Sequence, residues 1–198
     1  MKKILTTPIK TEDISSLKIG DVVYLTGTLA TARDSGHKRR VIEGVIPSTT
    51  LEGGAVFHAG PITKKDGDKW EIVAIGPTTS MRMEKYESDF IKETGVKLII
   101  GKGGMGEKTT SACKEYKAVH AVFPGGSAVV GASQVEEVLG VEWLDLGMPE
   151  AFYTLKVKEF GPLIISIDTA GNNLFENNKV IFKDKENKAL LSLKNKLS

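Results

Sequence analysis

At 198 residues, with 40% hydrophobic and 26% charged residues, the sequence has enough material for one sizeable core and suits a single compact domain. The formal net charge is +2 with acidic and basic residues interleaved, which excludes the broad basic footprint of a nucleic-acid or anionic-membrane binder and leaves anion binding to local sites. The single cysteine, Cys113, excludes an internal disulfide and any cluster that needs several thiolates from this chain.

No apolar run approaches the roughly 20 residues that span a bilayer. The start, Met1-Lys2-Lys3 followed by only Ile4-Leu5, lacks the apolar stretch of a signal peptide, so a cytoplasmic protein with no membrane partner is expected. In chain order, short β-branched apolar runs bounded by Gly or Pro alternate with stretches of helical period, the pattern of an α/β or layered β/α domain. Strands are expected at residues 22–28, 70–75, 97–100, 119–123 and 163–168, and helices at 34–43, 80–94, 107–116 and 131–139. Many of the 21 glycines fall at strand ends, including Gly76, Gly101, Gly103, Gly104, Gly106, Gly125 and Gly126, where bare backbone approaches a ligand most closely. From Phe175 onward the composition shifts to Asn, Lys and Glu with scattered Leu. This predicts a domain over residues 1–175 and a polar tail over 176–198, either a solvated terminal helix or partly mobile.

Three segments offer chemistry. If a helix begins near Thr31, Arg33 and His37 share a face four residues apart, a fixed cation beside a group that exchanges protons near neutral pH. The plain alternative is a solvated basic helix start. The run Gly76-Pro77-Thr78-Thr79-Ser80-Met81-Arg82-Met83 offers hydroxyls and free backbone N–H groups to an anion, with Arg82 one turn in as a two-point clamp, or else is an ordinary helix cap with a surface arginine. The run Gly101-Lys102-Gly103-Gly104-Met105-Gly106 has the composition of a phosphate loop but not the G-x-x-x-x-G-K-[ST] spacing, and a tight turn explains it equally well. Phe123-Pro124-Gly125-Gly126-Ser127-Ala128 is a further glycine-rich strand end to which no chemistry is assigned. His58 and His120 sit among apolar neighbours and read as structural, while Met81, Met83, Met105 and Met148 read as packing or interface residues. Arg33, Arg82 and Lys102 thus fall at three separate strand ends, and α/β sheets bind ligands outside such ends. Three cations imply a multiply negative small ligand, and a dicarboxylate suits better than a nucleotide.

At these residues the sequence resembles the family of the L(+)-tartrate dehydratase β subunits and the matching C-terminal region of class I fumarases. The resemblance is carried by residues 2–10 (KKILTTPIK), Phe57-His58-Ala59-Gly60-Pro61, residues 76–83, residues 101–106 and residues 158–169 (KEFGPLIISIDT), and it fades after about Leu174. It implies a swivelling β/β/α domain that docks on a larger α subunit, in an α2β2-type complex, with a 4Fe–4S cluster held by that partner. It also implies that Arg33, Thr78, Arg82 and Lys102 line a substrate site, and that either His37 or Thr78 transfers the proton, with His37 preferred because its unperturbed pKa suits the task. The implied activity is a hydro-lyase acting on a four-carbon dicarboxylate, tartrate or fumarate/malate. The Asp34-Ser35-Gly36-His37 stretch departs from both enzymes' forms and leaves the substrate open. The competing classes are a non-catalytic anion-binding module and a phosphate-ligand transferase.

Overall fold

The computed structural model describes residues 2–197. In chain order the strands are β1 (Lys3–Thr6), β2 (Val22–Thr31), β3 (Ala55–Phe57), β4 (Ile62–Asp66), β5 (Lys69–Ala74), β6 (Leu98–Gly101), β7 (Val119–Val122), β8 (Val135–Glu142) and β9 (Phe152–Ile167). The helices are α1 (Thr11–Ile14), α2 (Asp34–Val41), α3 (Glu84–Thr94), α4 (Glu107–Tyr116), α5 (Ala128–Ser133) and α6 (Leu174–Leu197). Strands β1, β2, β3, β6 and β7 run parallel, and the long β9 pairs antiparallel with β7 on one side and β2 on the other. That double pairing closes the sheet into a barrel and leaves β8 on the outer edge of β9.

The central strands are apolar on both faces because both faces are covered. Along β6, Leu98 and Ile100 point into the barrel while Ile99 points out, the period of two that a strand dictates. Inside, Phe57, Phe123 and Phe160 form a ring cluster with centroids 4.9 to 5.6 Å apart. Outside, Ile99 meets Met83, Phe90, Ile91 and Cys113 from α3, its approach and α4. Barrel wall, opposing wall and helix layer give the expected β/β/α order in one mixed α/β domain. Asn173 ends β9's excursion and starts α6: its Oδ1 accepts from the Phe175 and Glu176 N–H groups, while its Nδ2 donates to the Met105 carbonyl and Thr110 Oγ1.

Two helix expectations are corrected, and two other readings are sharpened. Residues 131–139 are not a helix: α5 stops at Ser133, and Val135, Val138 and Val141 lie on β8. Their spacing of three mimics a helical stripe, but register shifts between Val135 and Glu137 and between Val138 and Gly140 each insert an extra residue, so valines three apart face the same core. The strand expected at 70–75 is present as β5, and among the described residues it pairs with β4 in a separate two-stranded sheet. The helix expected at 80–94 opens as a 3-10 turn over Ser80–Met83 before α3. Of the methionines read as packing or interface residues, Met83 and Met105 are fully buried and pack in the core, which rules out Met105 as a docking residue, whereas Met81 and Met148 are exposed.

Candidate functional site

The parallel strands β2, β3, β6 and β7 end on one side of the sheet; Arg33 and His37 follow the end of β2 and Lys102 the end of β6, while Thr78 and Arg82 come from the segment after β5. Just beyond the Phe57–Ile100 pairing, residues 77–80 slot between the ends of β3 and β6. The Thr78 N–H donates to the His58 carbonyl at 2.7 Å, the Lys102 N–H to the Thr78 carbonyl at 3.0 Å, and the Ser80 N–H to the Lys102 carbonyl at 3.0 Å. The glycine and hydroxyl residues that looked like a helix cap therefore make an extra sheet rung. Gly101 is required by this rung: a Cβ there would lie 1.8 Å from Ser80 Oγ. Gly60 has the same origin, since its Cβ would fall 2.6 Å from a guanidinium nitrogen of Arg33.

Arg82 is held by two partners. Its Nε and Nη2 donate to the Asp34 carboxylate at 3.0 and 2.5 Å, and its Nη1 donates to Thr78 Oγ1 at 3.2 Å. Arg33 stands in extended backbone at the start of α2, with its Nε 3.2 Å from Glu150 Oε1. Glu150 also accepts the Ser35 N–H at 2.9 Å. Lys102 is exposed, and among the described residues its side chain has no hydrogen-bond or ion-pair partner. Two of the three cations are thus already matched by carboxylates. Asp34 and Glu150 were missed as site members; Asp34 is adjacent to Arg33 in sequence, but nothing local foretells Glu150, which arrives from 115 residues away beside Ser35.

The helix start after the glycine loop is also occupied. Glu84 accepts from the Gly106, Lys108 and Thr109 N–H groups at 2.7, 3.1 and 3.3 Å and from the Thr109 hydroxyl at 2.7 Å. A carboxylate from α3 already sits where a phosphate would bind, which removes the physical basis of the transferase reading.

Behind the strand ends lies a buried polar chain. His37, on α2, is fully buried. Its Nδ1 is 2.8 Å from the Arg33 carbonyl and its Nε2 is 3.3 Å from Glu87 Oε2. His58 Nε2 is 3.0 Å from the same oxygen, and its Nδ1 is 3.1 Å from Ser80 Oγ. Ser80 Oγ continues to His120 Nε2 at 3.1 Å, and His120 Nδ1 to Ser166 Oγ at 2.5 Å. Burial pushes the His120 imidazole down to about 3 and lowers His58 as well, the latter against the attraction of Glu87. Burial would raise the Glu87 carboxyl, but the nearby charges of His58 and His37 outweigh it and hold Glu87 well below its usual range. The structural role expected for His58 and His120 fits this chain. Neither nitrogen of His37 faces solvent. Cys113 is buried too, and desolvation raises its thiol, so this chain offers no thiolate ligand set for an iron–sulfur cluster.

Comparison with known proteins agrees with this architecture. The family model described as Fumarase C-terminus matches residues 2–178. The chain is 58% identical over 186 residues to "L(+)-tartrate dehydratase subunit beta" of Escherichia coli strain K12, covering 93% of this chain and 92% of that one. It is 42% identical over 174 residues to "Putative fumarate hydratase class I" of Geobacillus stearothermophilus, covering 87% of this chain and 33% of that longer protein. A match that spans the barrel, its helix layer and every strand-end loop of the site means that the chain belongs to the Fumarase C-terminus family, alongside the β subunits of L(+)-tartrate dehydratases.

Proposed function

We propose that this chain is the iron-free β-type subunit of a two-subunit hydro-lyase that adds water to, or removes it from, a four-carbon dicarboxylate. The observation that carries the reading is the convergence of Arg33, Thr78, Arg82 and Lys102 on adjacent strand ends, in a chain that matches the tartrate dehydratase β subunit over nearly its whole length. The partner would be an α subunit holding a 4Fe–4S cluster, and the compartment would be the cytoplasm. No helix among the described residues is long and apolar enough to cross a membrane.

Within this chain the division of labour follows from exposure and charge. Lys102, which among the described residues has no carboxylate partner, supplies net attraction for a carboxylate. Arg82 is fixed in orientation by Asp34, so its remaining Nη1 is aimed along Thr78. That donor stabilises negative charge on the Thr78 oxygen, which lets a hydroxyl that is otherwise a very weak base take part in proton transfer at the substrate carbon. His37 then acts from behind: its bond to the Arg33 carbonyl sets the backbone from which the Arg33 side chain leaves. This geometry favours Thr78 over His37 as the group that meets substrate.

The test is the complex reconstituted with its cluster-bearing partner. Exchange of the substrate C–H with deuterated solvent should vanish in Thr78→Val and persist in His37→Gln, and the opposite pattern would return the proton transfer to His37. Arg82→Lys should lower kcat and kcat/KM together by about a hundredfold, because lysine keeps the charge but loses the planar fork that binds Asp34 and Thr78 at once. No turnover of any dicarboxylate by the intact complex, with tight dicarboxylate binding retained, would indicate an anion-binding module instead.

A further inference from the structure

His37, His58 and Glu87 converge on one point behind the strand ends, with their candidate ligand atoms all within 4.8 Å of one another and all three residues fully buried. The Nε2 atoms lie 3.3 and 3.0 Å from Glu87 Oε2. Those are hydrogen-bond distances, but the directions are wrong for hydrogen bonds. Both Nε2 atoms and both Glu87 carboxylate oxygens are buried without a hydrogen-bond partner. Such groups carry a desolvation cost that no hydrogen bond in this chain offsets.

Each ring is oriented by its other nitrogen. Nδ1 of His37 faces the Arg33 carbonyl at 2.8 Å, and Nδ1 of His58 faces Ser80 Oγ at 3.1 Å. Metal-bound histidines are held this way, with one N–H donating to a carbonyl or hydroxyl and the opposite lone pair facing the ion. The donor spacing agrees as well, since ligand bonds of about 2.0–2.1 Å in a tetrahedral site separate neighbouring donors by about 3.3 Å. An ion between the donors also explains why the nitrogens point past the carboxylate oxygen.

We propose that His37, His58 and Glu87 form a site for a divalent transition-metal ion, distinct from any cluster on the partner chain. Two imidazoles and a carboxylate without thiolate suit zinc or cobalt better than the oxygen-seeking calcium and magnesium. A further ligand is available in Glu87 Oε1, which is equally buried and unpartnered. The site is closed to solvent, so its work is structural: it ties α2, the end of β3 and α3 together behind Arg33 and Thr78. The inference stands on these three side chains and does not depend on the proposed hydro-lyase activity.

Zn(II) is the probe. The full-length chain, alone and in complex with its partner, is loaded with Zn(II), dialysed against metal-free buffer and assayed by elemental analysis, which counts zinc separately from the partner's iron. About one zinc per chain should remain, and removing it with a chelator should lower Tm by about 5 °C, reversibly. Co(II) in its place should give the visible absorption of a four-coordinate nitrogen and oxygen site. His58→Gln and Glu87→Gln should each lose the ion and the cobalt spectrum. A folded wild-type chain that retains no zinc and shows no chelator-dependent Tm would overturn the proposal, as would zinc retained by both folded variants.

Discussion

Two polar regions meet at Arg33 and obey different physics. At the strand ends, the Arg82–Asp34 pair is half open to water, with side-chain exposures of 48% and 31%, and Lys102 is exposed without a partner among the described residues. Directly behind, His37, Glu87, His58, Ser80, His120 and Ser166 make a chain with no solvent contact. Charge at the rim is screened and cheap to rearrange, so it is available for binding. Charge in the interior is neither, so it fixes positions: the Arg33 carbonyl is held by His37, and the Thr78 rung is held through Ser80 and His58. The binding surface stays adaptable because the layer beneath it is not.

The sharpest way to break this contrast is to remove the buried carboxylate. Glu87→Ala should cost about 3–5 kcal/mol, because the change leaves two buried imidazoles facing an empty position. Urea unfolding of the full chain measures it, with the m-value checked for constancy. A loss below about 1 kcal/mol would mean that the interior chain bears no strain when opened, and the contrast with the rim would fail.

Much of the rim was legible in the sequence, while of the interior chain only the histidines stood out, His58 and His120 as structural residues, and not the carboxylate and serines that join them. Thr78, Arg82 and Lys102 could be picked out because glycine and hydroxyl residues clustered after apolar runs, and the structure gathers these runs onto adjacent strand ends. The meaning of the clusters was hidden, since Thr78 and Ser80 serve as a sheet rung that exists only once β3 and β6 are side by side. Glu87 carried no signal, because a glutamate on an amphipathic helix reads as surface until three elements close over it. Edge elements failed for another reason. The bulges of β8 gave its valines a helix-like spacing, and β3, at three residues, is too short to show any period.

Acid should find the interior before the rim. His120 has a folded-state value near 3 against an ordinary value of 6.5, so the unfolded chain binds the extra proton between those limits. A depressed folded value means that the stabilisation is complete above about pH 6.5 and is lost as pH falls toward 3, at a slope of up to about 1.4 kcal/mol per pH unit for this group. In the metal-free chain His58, also lowered by burial, adds to the slope in the same direction. Urea midpoints measured in steps from pH 7 to pH 4 give the slope, and His120→Gln should flatten it. A flat profile in the wild-type chain would show that these imidazoles reach solvent.

The smallest effect expected on stability belongs to Asp34→Asn, and it isolates what the rim contributes to catalysis. The substitution keeps the size of the side chain and one oxygen to accept from Arg82 Nε, but it puts an NH2 donor opposite Nη2 in place of an accepting oxygen or forces the guanidinium to rotate. Because the pair is substantially exposed, stability should change by less than about 0.5 kcal/mol. Kinetics should respond more. Removing a carboxylate leaves the site more positive, so a dianionic substrate should bind at least as well and KM should stay level or fall. Loss of the fixed Arg82 edge should release its Nη1 from Thr78 Oγ1, and kcat should fall by about tenfold, equivalent to about 1.4 kcal/mol of transition-state stabilisation. That split, a lower kcat without a higher KM, distinguishes an orienting carboxylate from a bystander on the surface. Unchanged values of both in the reconstituted complex would mean that Arg82 needs no guide, and that the aim of Nη1 along Thr78 comes from the sheet rung alone.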